Sequence, residues 1–577
     1  MLSFKFQPKL VECLRAGYSR PDFIADLGAG VTVGVVALPL AMAFAIASGM
    51  SPQSGIFTAI VAGFLISALG GSRVQIGGPT GAYVVVVYSI VARYGVANLA
   101  ICTLAAGVIL AALGFLRLGG LIRFIPVSIV IGFTNGIAVL ILLSQVRDFF
   151  GLTVALPDEF FTRIATLASS ISSLNPPALI VGGVSLAVLL LWPKTVTSTG
   201  AVLAEEAGDG PLRATEPMRD RALVNTARLG AGLLVRMPAP IIVLVVASLA
   251  CALLSVPLET IGTRFGGIPT GLPDFTPPDV TMRTLRDLIA PTITIALLGA
   301  IESLLSARVA DTMIGDRHDP NQELMAQGIA NIVAPFFGGI PATGAIARTA
   351  TNVRTGARTP VSGMIHSLTL LVIVLVAAPL AKYIPLAALS AVLIVVAINM
   401  GDWKAFLDLK RYSIPYRVVL LATFVITVAF DLSTAVEIGL VLASLFFIYR
   451  VSDLTQVESM PTGNADIDAH RVFGALFFGS VAKLEPLLDR KSHPARIVVL
   501  DMRQVISLDN TALETLDSLR HTLAERHGTL LLCALNAQPS AQVHRSIFGQ
   551  ELGAANVLPD YAAALDRARI LAAALEK

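Results

Sequence analysis

Charged residues are scarce in this chain. Asp, Glu, Lys and Arg make up 14% of its 577 residues, against about 25% in a typical soluble domain. With 55% hydrophobic residues and a mean hydropathy of +0.76, the shortage excludes an ordinary soluble protein and indicates a polytopic membrane protein. Cysteine is as sparse. Cys13, Cys102, Cys251 and Cys533 stand alone, without CxxC or metal-ligand spacing, so neither a disulfide framework nor a zinc site is expected. A net charge of +3 spread along the chain gives no footprint for nucleic acid. No Ser/His/Asp order, HExxH, P-loop or dinucleotide fingerprint is present, so an enzymatic role has no motif to rest on; no catalytic residue, metal or cofactor is expected. The N-terminus, "MLSFKFQPKLVECLRAGYSR", lacks the apolar core of a signal peptide, and the first span is expected to serve as the insertion signal.

The charge that is absent is distributed in a pattern. No charged residue occurs between Asp26 and Arg73, and "SGMSP" at 48–52 divides that run into two lengths that each approach a bilayer crossing. Further charge-free runs lie between Arg73 and Arg93, Arg93 and Arg117, Arg123 and Arg147, Arg163 and Lys194, and Arg236 and Glu259, which completes seven spans. The second half gives seven more, around 284–310, 323–337, 343–350, 360–381, 384–400, 417–430 and 433–450. An even total puts both ends on one side, and Lys and Arg concentrate in the loops of that side, which makes it cytoplasmic.

The halves resemble each other. "RFIPVS" at 123–128 recurs as "KYIPLA" at 382–387, and "GGPTGA" at 77–82 is echoed by "PATGA" at 341–345. An odd number of spans per copy inverts the second copy, and inverted repeats with Gly- and Pro-broken segments mark secondary transporters. The expected organisation is a cytoplasmic N-terminus at 1–26, a first seven-helix repeat at 27–255 and an inverted second repeat at 256–450. A polar cytoplasmic loop at 194–236 interrupts the first repeat. After Arg450 the composition turns soluble. "HRVFGALFFGS", "ARIVVLDM", "TLLLCAL" and "ANVLP" read as strands, and "DNTALETLDSLRHTLAERHG" and "YAAALDRARILAAALEK" as helices. Residues 451–577 are thus a linker and a small cytoplasmic α/β domain.

Within this frame the stretch "GGIPATGAIARTATN" at 338–352 stands out, since it places Gly, Pro, hydroxyls and Arg348 where a span should be least polar. An arginine at mid-membrane costs about 2.5–3.5 kcal/mol on insertion scales and is seldom placed there without a partner. Thr80 and Thr343 open the third and tenth spans, each beside glycine and proline. A helix that starts inside the membrane presents free N–H groups and a positive dipole end. Gly81 in one copy, and Gly344 and Ala345 in the other, belong to these two ends, which together make an anion site. Arg348, one turn beyond Gly344, has a guanidinium able to hold a carboxylate or sulfate oxygen pair; the competing reading is a structural salt bridge to Glu302. Glu302, in "GAIESLLSARVAD", reads as the only acid well inside a span. A carboxylate at that depth is costly unless protonated or paired, which makes it the candidate carrier of a coupling proton, with Ser306 one turn on. His366 reads as packing, and Asp311, Asp431 and Glu437 as solvated or interfacial.

Taken together, "GVTVGVVALPLAMAFAIASGMSPQSGIFTA", "GGPTGAYVVVV", "GAIESLLSARVADTM", "NQELMAQGIANIVAPFFGGIPATGAIARTATNVRTGARTP" and "VLDMRQVISLDNTALETL" resemble the SulP anion transporters over nearly the whole chain. Within that family they look most similar to bacterial proton-coupled C4-dicarboxylate transporters. The resemblance implies fourteen spans in a core and a gate domain, an anion held between half-helices three and ten, and an elevator-like movement. It also implies a cytoplasmic STAS domain, a homodimer and a bacterial inner-membrane location. Phe44, Thr80, Ala347 and Arg348 match the family's substrate-site positions. Glu302 falls where sodium-coupled bicarbonate members carry a sodium-binding Asp, and Ser306 falls on their neighbouring Thr. Those members lack an arginine at position 348 and carry Thr where Ile346 stands, so a proton on Glu302 is expected in place of sodium. In the STAS region the switch serine of anti-anti-sigma factors corresponds to Asn510, beside Thr511, so a regulatory or dimer-supporting role is expected without phosphorylation at that site. The expected activity is proton-coupled uptake of succinate or fumarate. Sulfate or bicarbonate transport on the same fold is the first alternative, and an anion sensor signalling through the STAS domain is the second.

Overall fold

A computed structural model describes residues 7–120, 126–154, 156–157, 160–192, 239–254, 256–267, 286–430, 432–488 and 495–575. The polar loop expected at 194–236, together with Arg123 of the first repeat motif, lies outside the described residues. Contacts divide the chain into two compact units, Met1–Leu440 and Val441–Lys577.

Each span expected from the sequence contains a helix. In chain order these are α1 (Arg20–Ala47), α2 (Pro52–Leu69), α3 (Gly81–Tyr94), α4 (Val96–Phe115), α5 (Val127–Phe150), α6 (Pro176–Leu191) and α7 (Ala239–Leu254), then α8 (Ile289–Ile314), α9 (Pro320–Val333), α10 (Ile346–Arg354), α11 (Val361–Ala381), α12 (Leu386–Met400), α13 (Ile414–Ala429) and α14 (Leu432–Asp453). Six of them combine the length and apolar composition of a full crossing, and six more are shorter apolar helices. The two most polar, α9 and α10, complete the fourteen. The repeated motifs set equivalent helix starts: Pro126 caps α5 and Pro385 caps α12, each holding the residue before the helix in an extended conformation.

Packing mixes the halves. Helix α4 packs on α9 and α8, and α11 packs on α1 and α2; α5 packs on α12 and α13, and α6 on α12. Helices α1–α4 with α8–α11 therefore form one bundle, and α5–α7 with α12–α14 another. Small residues permit the close approaches. A side chain on Gly55 of α2 would collide with the Ala41 backbone of α1, and one on Gly328 of α9 with the Ala111 backbone of α4.

Two buried carboxylates near span ends lock one repeat to the other. Asp26 of α1, fully buried, accepts from the amides of Arg358 (2.7 Å) and Thr359 (3.0 Å) and from the hydroxyls of Thr359 (2.5 Å) and Tyr18 (3.1 Å). Glu323 of α9, also fully buried, accepts from the amides of Gly71 (3.0 Å) and Ser72 (3.3 Å) and from Gln327 (2.9 Å). Each acid sits near a span end, where linear sequence suggests solvent, but a loop of the other repeat folds over it and supplies backbone donors.

The second unit carries a five-stranded sheet in the order β3 (Gln456–Met460), β4 (Ile467–Leu476), β5 (Ile497–Leu508), β6 (Thr529–Cys533), β7 (Val557–Leu558); β1 and β2 belong to the membrane unit and are introduced below. Strands β4 to β7 are parallel, and β3 is antiparallel to β4. One sheet face packs against α15 (Asn510–Ala524) and α16 (Ala537–Arg545), and the other against α17 (Tyr561–Leu575). This is the α/β domain expected from the sequence, with β3 and α16 added. Asp509 caps α15 by accepting from the Ala512 amide at 2.9 Å, which leaves Asn510 exposed in the first turn.

Candidate functional site

The site is built where α3 and α10 begin in mid-bundle. Gly77–Gly78 (β1) and Thr343–Gly344 (β2) pair antiparallel, Gly77 with Gly344 and Gly78 with Thr343. Extended chain at this depth needs partners for its amides and carbonyls, and the pairing supplies them. The crossing is extended on both sides. The Ala345 amide donates to the Ile76 carbonyl (2.8 Å), the Ile76 amide to the Thr349 hydroxyl (3.0 Å), and the Asn352 side-chain amide to the Val74 carbonyl (2.9 Å). Asn331 of α9 clamps the strand from behind, donating to the Ala342 carbonyl and accepting from its amide, both at 2.8 Å.

Thr80 and Ala345 cap α3 and α10, and neither gives its helix a side-chain cap. Helix α10 thus starts two residues later than the Thr343 expected from the sequence. The amides of Gly81 and Ala82, and of Ile346 to Arg348, precede the first intrahelical acceptors, so both first turns present donors and a positive dipole end. The first turn of α10 opens on free space, with Ile346 41% exposed and Ala347 exposed. Around Gly81 the wall is apolar: an added side chain there would meet Met400 at 3.1 Å, Phe44 at 3.4 Å and Ile141 at 3.4 Å.

Glu302 comes from α8 and is partly exposed. Its Oε2 accepts from the Thr80 hydroxyl at 2.8 Å, which ties the start of α3 to the carboxylate. Tyr83, one turn into α3, is buried and donates to the Ile295 carbonyl of α8 at 2.9 Å, a second tie between the same helices.

Arg348 is 3% exposed. Its Nη2 donates to the Pro79 carbonyl, and its Nη1 is buried without a hydrogen-bond partner. The guanidinium lies against Gly78, whose φ of +143° disfavours a side chain and whose missing Cβ leaves it room. Among the described residues no carboxylate comes within 4.0 Å of it, so the salt bridge to Glu302 weighed above is not formed. The arginine instead bridges the second half-helix to Pro79, the residue before the Thr80 cap of the first, and its charge sits behind the two helix ends.

The structure brings Phe44, Thr80, Gly81, Glu302, Ala345, Ala347 and Arg348 together. Three other expected residues have their polar groups committed elsewhere. The Thr343 hydroxyl bonds Ser303 (2.7 Å) and the Gly299 carbonyl (3.1 Å), the Gly344 amide donates to Ser303 (3.3 Å), and the Ser306 hydroxyl meets Thr349 (3.1 Å). They hold β2 and α10 on α8. A side chain on Gly344 would collide with Gln75. Ser303, Thr349, Gln75, Tyr83 and Met400 were not anticipated; the polar ones lie within apolar or small-residue stretches where one hydroxyl or amide carries no spacing signal. His366 is fully buried, as packing predicts, and neither of its ring nitrogens has a hydrogen-bond partner.

Comparison with known proteins agrees with this geometry. The Sulfate permease family matches residues 23–423, and the STAS domain matches residues 463–564. YvdB of Bacillus subtilis, provisionally named a sulfate transporter, is 38% identical over 547 residues, covering 93% of this chain and 96% of its own. The transmembrane domain of a cyanobacterial bicarbonate transporter, BicA, superposes with a TM-score of 0.61 at 28% identity, over 73% of this chain and 98% of that one. SLC26A9 shares the fold, with a TM-score of 0.81 at 19% identity over 98% and 93% of the two chains. With paired half-helix ends, a buried arginine behind them and these relatives, the chain belongs to the sulfate permease family and is a multi-pass membrane anion transporter with a C-terminal STAS domain.

Proposed function

We propose that this transporter moves a small oxyanion together with a proton, binding the anion between the first turns of α3 and α10 and the proton on Glu302. The observation that carries the reading is the Thr80–Glu302 hydrogen bond at 2.8 Å, which places the carboxylate beside one of the two helix ends. The charge balance gives the coupling. With Arg348 cationic and Glu302 ionised, the side-chain charges cancel; with Glu302 protonated, one positive charge remains to meet the anion. Like charges about 5 Å apart repel by about 3 kcal/mol at an effective dielectric of about 20, a factor above a hundred in affinity. Anion and proton therefore bind best together. A fixed guanidinium supplies the positive charge that sodium would otherwise bring.

Sulfate is the first substrate reading, supported by the naming of the B. subtilis relative, with bicarbonate beside it from BicA. A C4-dicarboxylate such as succinate or fumarate is the second, favoured by the apolar wall of Phe44, Ile141 and Met400 around Gly81, which suits a hydrocarbon backbone. The cycle is an elevator-type displacement of the bundle containing α3 and α10 against the other, in a homodimer of the cell membrane with both termini cytoplasmic.

The test is uptake of labelled sulfate, bicarbonate and succinate into proteoliposomes under a proton gradient, a sodium gradient or neither. Proton-driven uptake that falls at least tenfold in Arg348→Ala, and loses its response to the proton gradient in Glu302→Gln, is the expected result. Uptake that requires sodium and ignores the proton gradient refutes the coupling; uptake of succinate alone replaces the first substrate reading by the second.

A further inference from the structure

Helix α9 carries three fully buried polar side chains, Glu323, Gln327 and Asn331. Spaced four residues apart, they stand one above another on one face of the helix and span about 12 Å of its axis, at about 1.5 Å per residue. Polar side chains inside a membrane bundle are costly, and apolar ones would pack the same face without that cost. What they hold accounts for them.

They grip the approaches to both strands of the crossing. At one end Glu323 accepts from the amides of Gly71 and Ser72, which lead into β1, and the Gly71 carbonyl accepts from the Asp319 amide at 3.2 Å. At the other end Asn331 takes both backbone groups of Ala342, the residue before β2, as a neighbouring strand would. Gln327 joins the two. Its Nε2 donates to Glu323 at 2.9 Å, and its main-chain carbonyl accepts from the Asn331 side chain at 2.8 Å.

Helix α9 is itself pinned. A Cβ on Gly107 of α4 would stand 2.7 Å from the Gly328 carbonyl oxygen, one on Gly114 would stand 2.5 Å from the Asn321 carbonyl oxygen, and one on Gly328 would stand 2.4 Å from the Ala111 nitrogen. The two helices thus touch backbone to backbone from Asn321 to Gly328. A polar stripe on a pinned helix that grips both strand entries fixes the distance between them, and so the gap between the first turns of α3 and α10.

We propose that the Glu323–Gln327–Asn331 stripe is a positioning element of the transport site, setting the gap between the two half-helix ends and with it the affinity and size preference for the oxyanion. This rests on the reading of those ends as the anion site. The three side chains act through Ser72 and Ala342 and do not touch the anion.

The test uses the full-length protein. In proteoliposomes with labelled sulfate, bicarbonate or succinate, Asn331→Asp keeps the side-chain volume but loses both donated hydrogen bonds; it should raise KM about tenfold with a smaller effect on Vmax. It should also change the KM ratio between any two of these anions that the wild type carries. Glu323→Leu should raise KM likewise, and Glu323→Gln should recover most of the loss, because Gln327 can turn its unpartnered Oε1 to accept from the new amide. A stripe that only stabilises the fold would lower Vmax in every variant and leave KM unchanged, and that result overturns the proposal. Hydrogen exchange in detergent decides it where uptake fails: the amides of residues 342–348 should exchange faster in Asn331→Asp than in wild type, and an unchanged rate refutes it. Arg348→Ala keeps the two readings apart, since a wild-type KM in that variant refutes the anion site itself, whereas exchange at 342–348 does not depend on where the anion binds.

Discussion

Gly78→Ala adds a single methyl group at the point where Arg348 passes between the half-helices. The new Cβ would stand 2.7 Å from Nη1 and 3.2 Å from Nη2, with the Ala59 Cα at 3.4 Å on the other side. To restore ordinary contact at 3.4 Å the guanidinium must retreat by about 0.7 Å, the difference between 3.4 and 2.7 Å. That displacement breaks its hydrogen bond to the Pro79 carbonyl, and a bond to a charged group contributes about 1.5–3 kcal/mol. The φ of +143° adds a backbone cost of about 1–3 kcal/mol for any residue but glycine. The two parts separate in a double-mutant cycle. With the guanidinium misplaced, uptake should fall by about 10- to 150-fold, the factor equivalent to the lost bond. In an Arg348→Ala background the methyl meets no guanidinium, so only the backbone cost should remain and the coupling should be about 1.5–3 kcal/mol. Gly28→Ala is the control, because a Cβ there meets nothing within 4 Å. Initial uptake rates in proteoliposomes and melting in detergent read the two parts. Wild-type uptake by Gly78→Ala, or equal loss in both backgrounds, would refute the role given to the Arg348–Pro79 contact.

Two further outcomes test other parts of the structure. A side chain on Gly299 of α8 would collide with the Tyr83 hydroxyl, so Gly299→Ala should lower both melting temperature and uptake, and Tyr83→Phe should partly rescue it despite losing a hydrogen bond that contributes about 0.5–1.5 kcal/mol; no rescue would place the clash elsewhere. In the STAS domain, burial, helped by the nearby Asp501 carboxylate, pushes the Cys533 thiol up to about 12. A raised value keeps the thiol protonated through neutral and mildly alkaline pH, so N-ethylmaleimide at pH 8 should leave Cys533 unlabelled in the folded protein and label it after denaturation.

The sequence by itself determined the class of protein and where its spans are broken. Scarce charge and long apolar runs are enough to count the spans, because an unpaired charge in hydrocarbon is costly wherever the chain folds. The repeated "GGPTGA" and "PATGA" segments identified the half-helix starts, because Gly, Pro and Thr together can only interrupt a span. The strand and helix runs after Arg450 were legible for the same local reason. Tertiary structure decided what faces what. Asp26 and Glu323 look interfacial in one dimension and become buried only because loops from the opposite repeat cover them. Thr343 and Ser306 have the chemistry of ligands, yet their hydroxyls turn to Ser303 and Thr349, partners that only the packing of β2 and α10 on α8 supplies. The partner of Arg348 is a backbone carbonyl 269 positions away, which no residue type announces, since every residue offers a carbonyl and only the fold selects the one left free to accept.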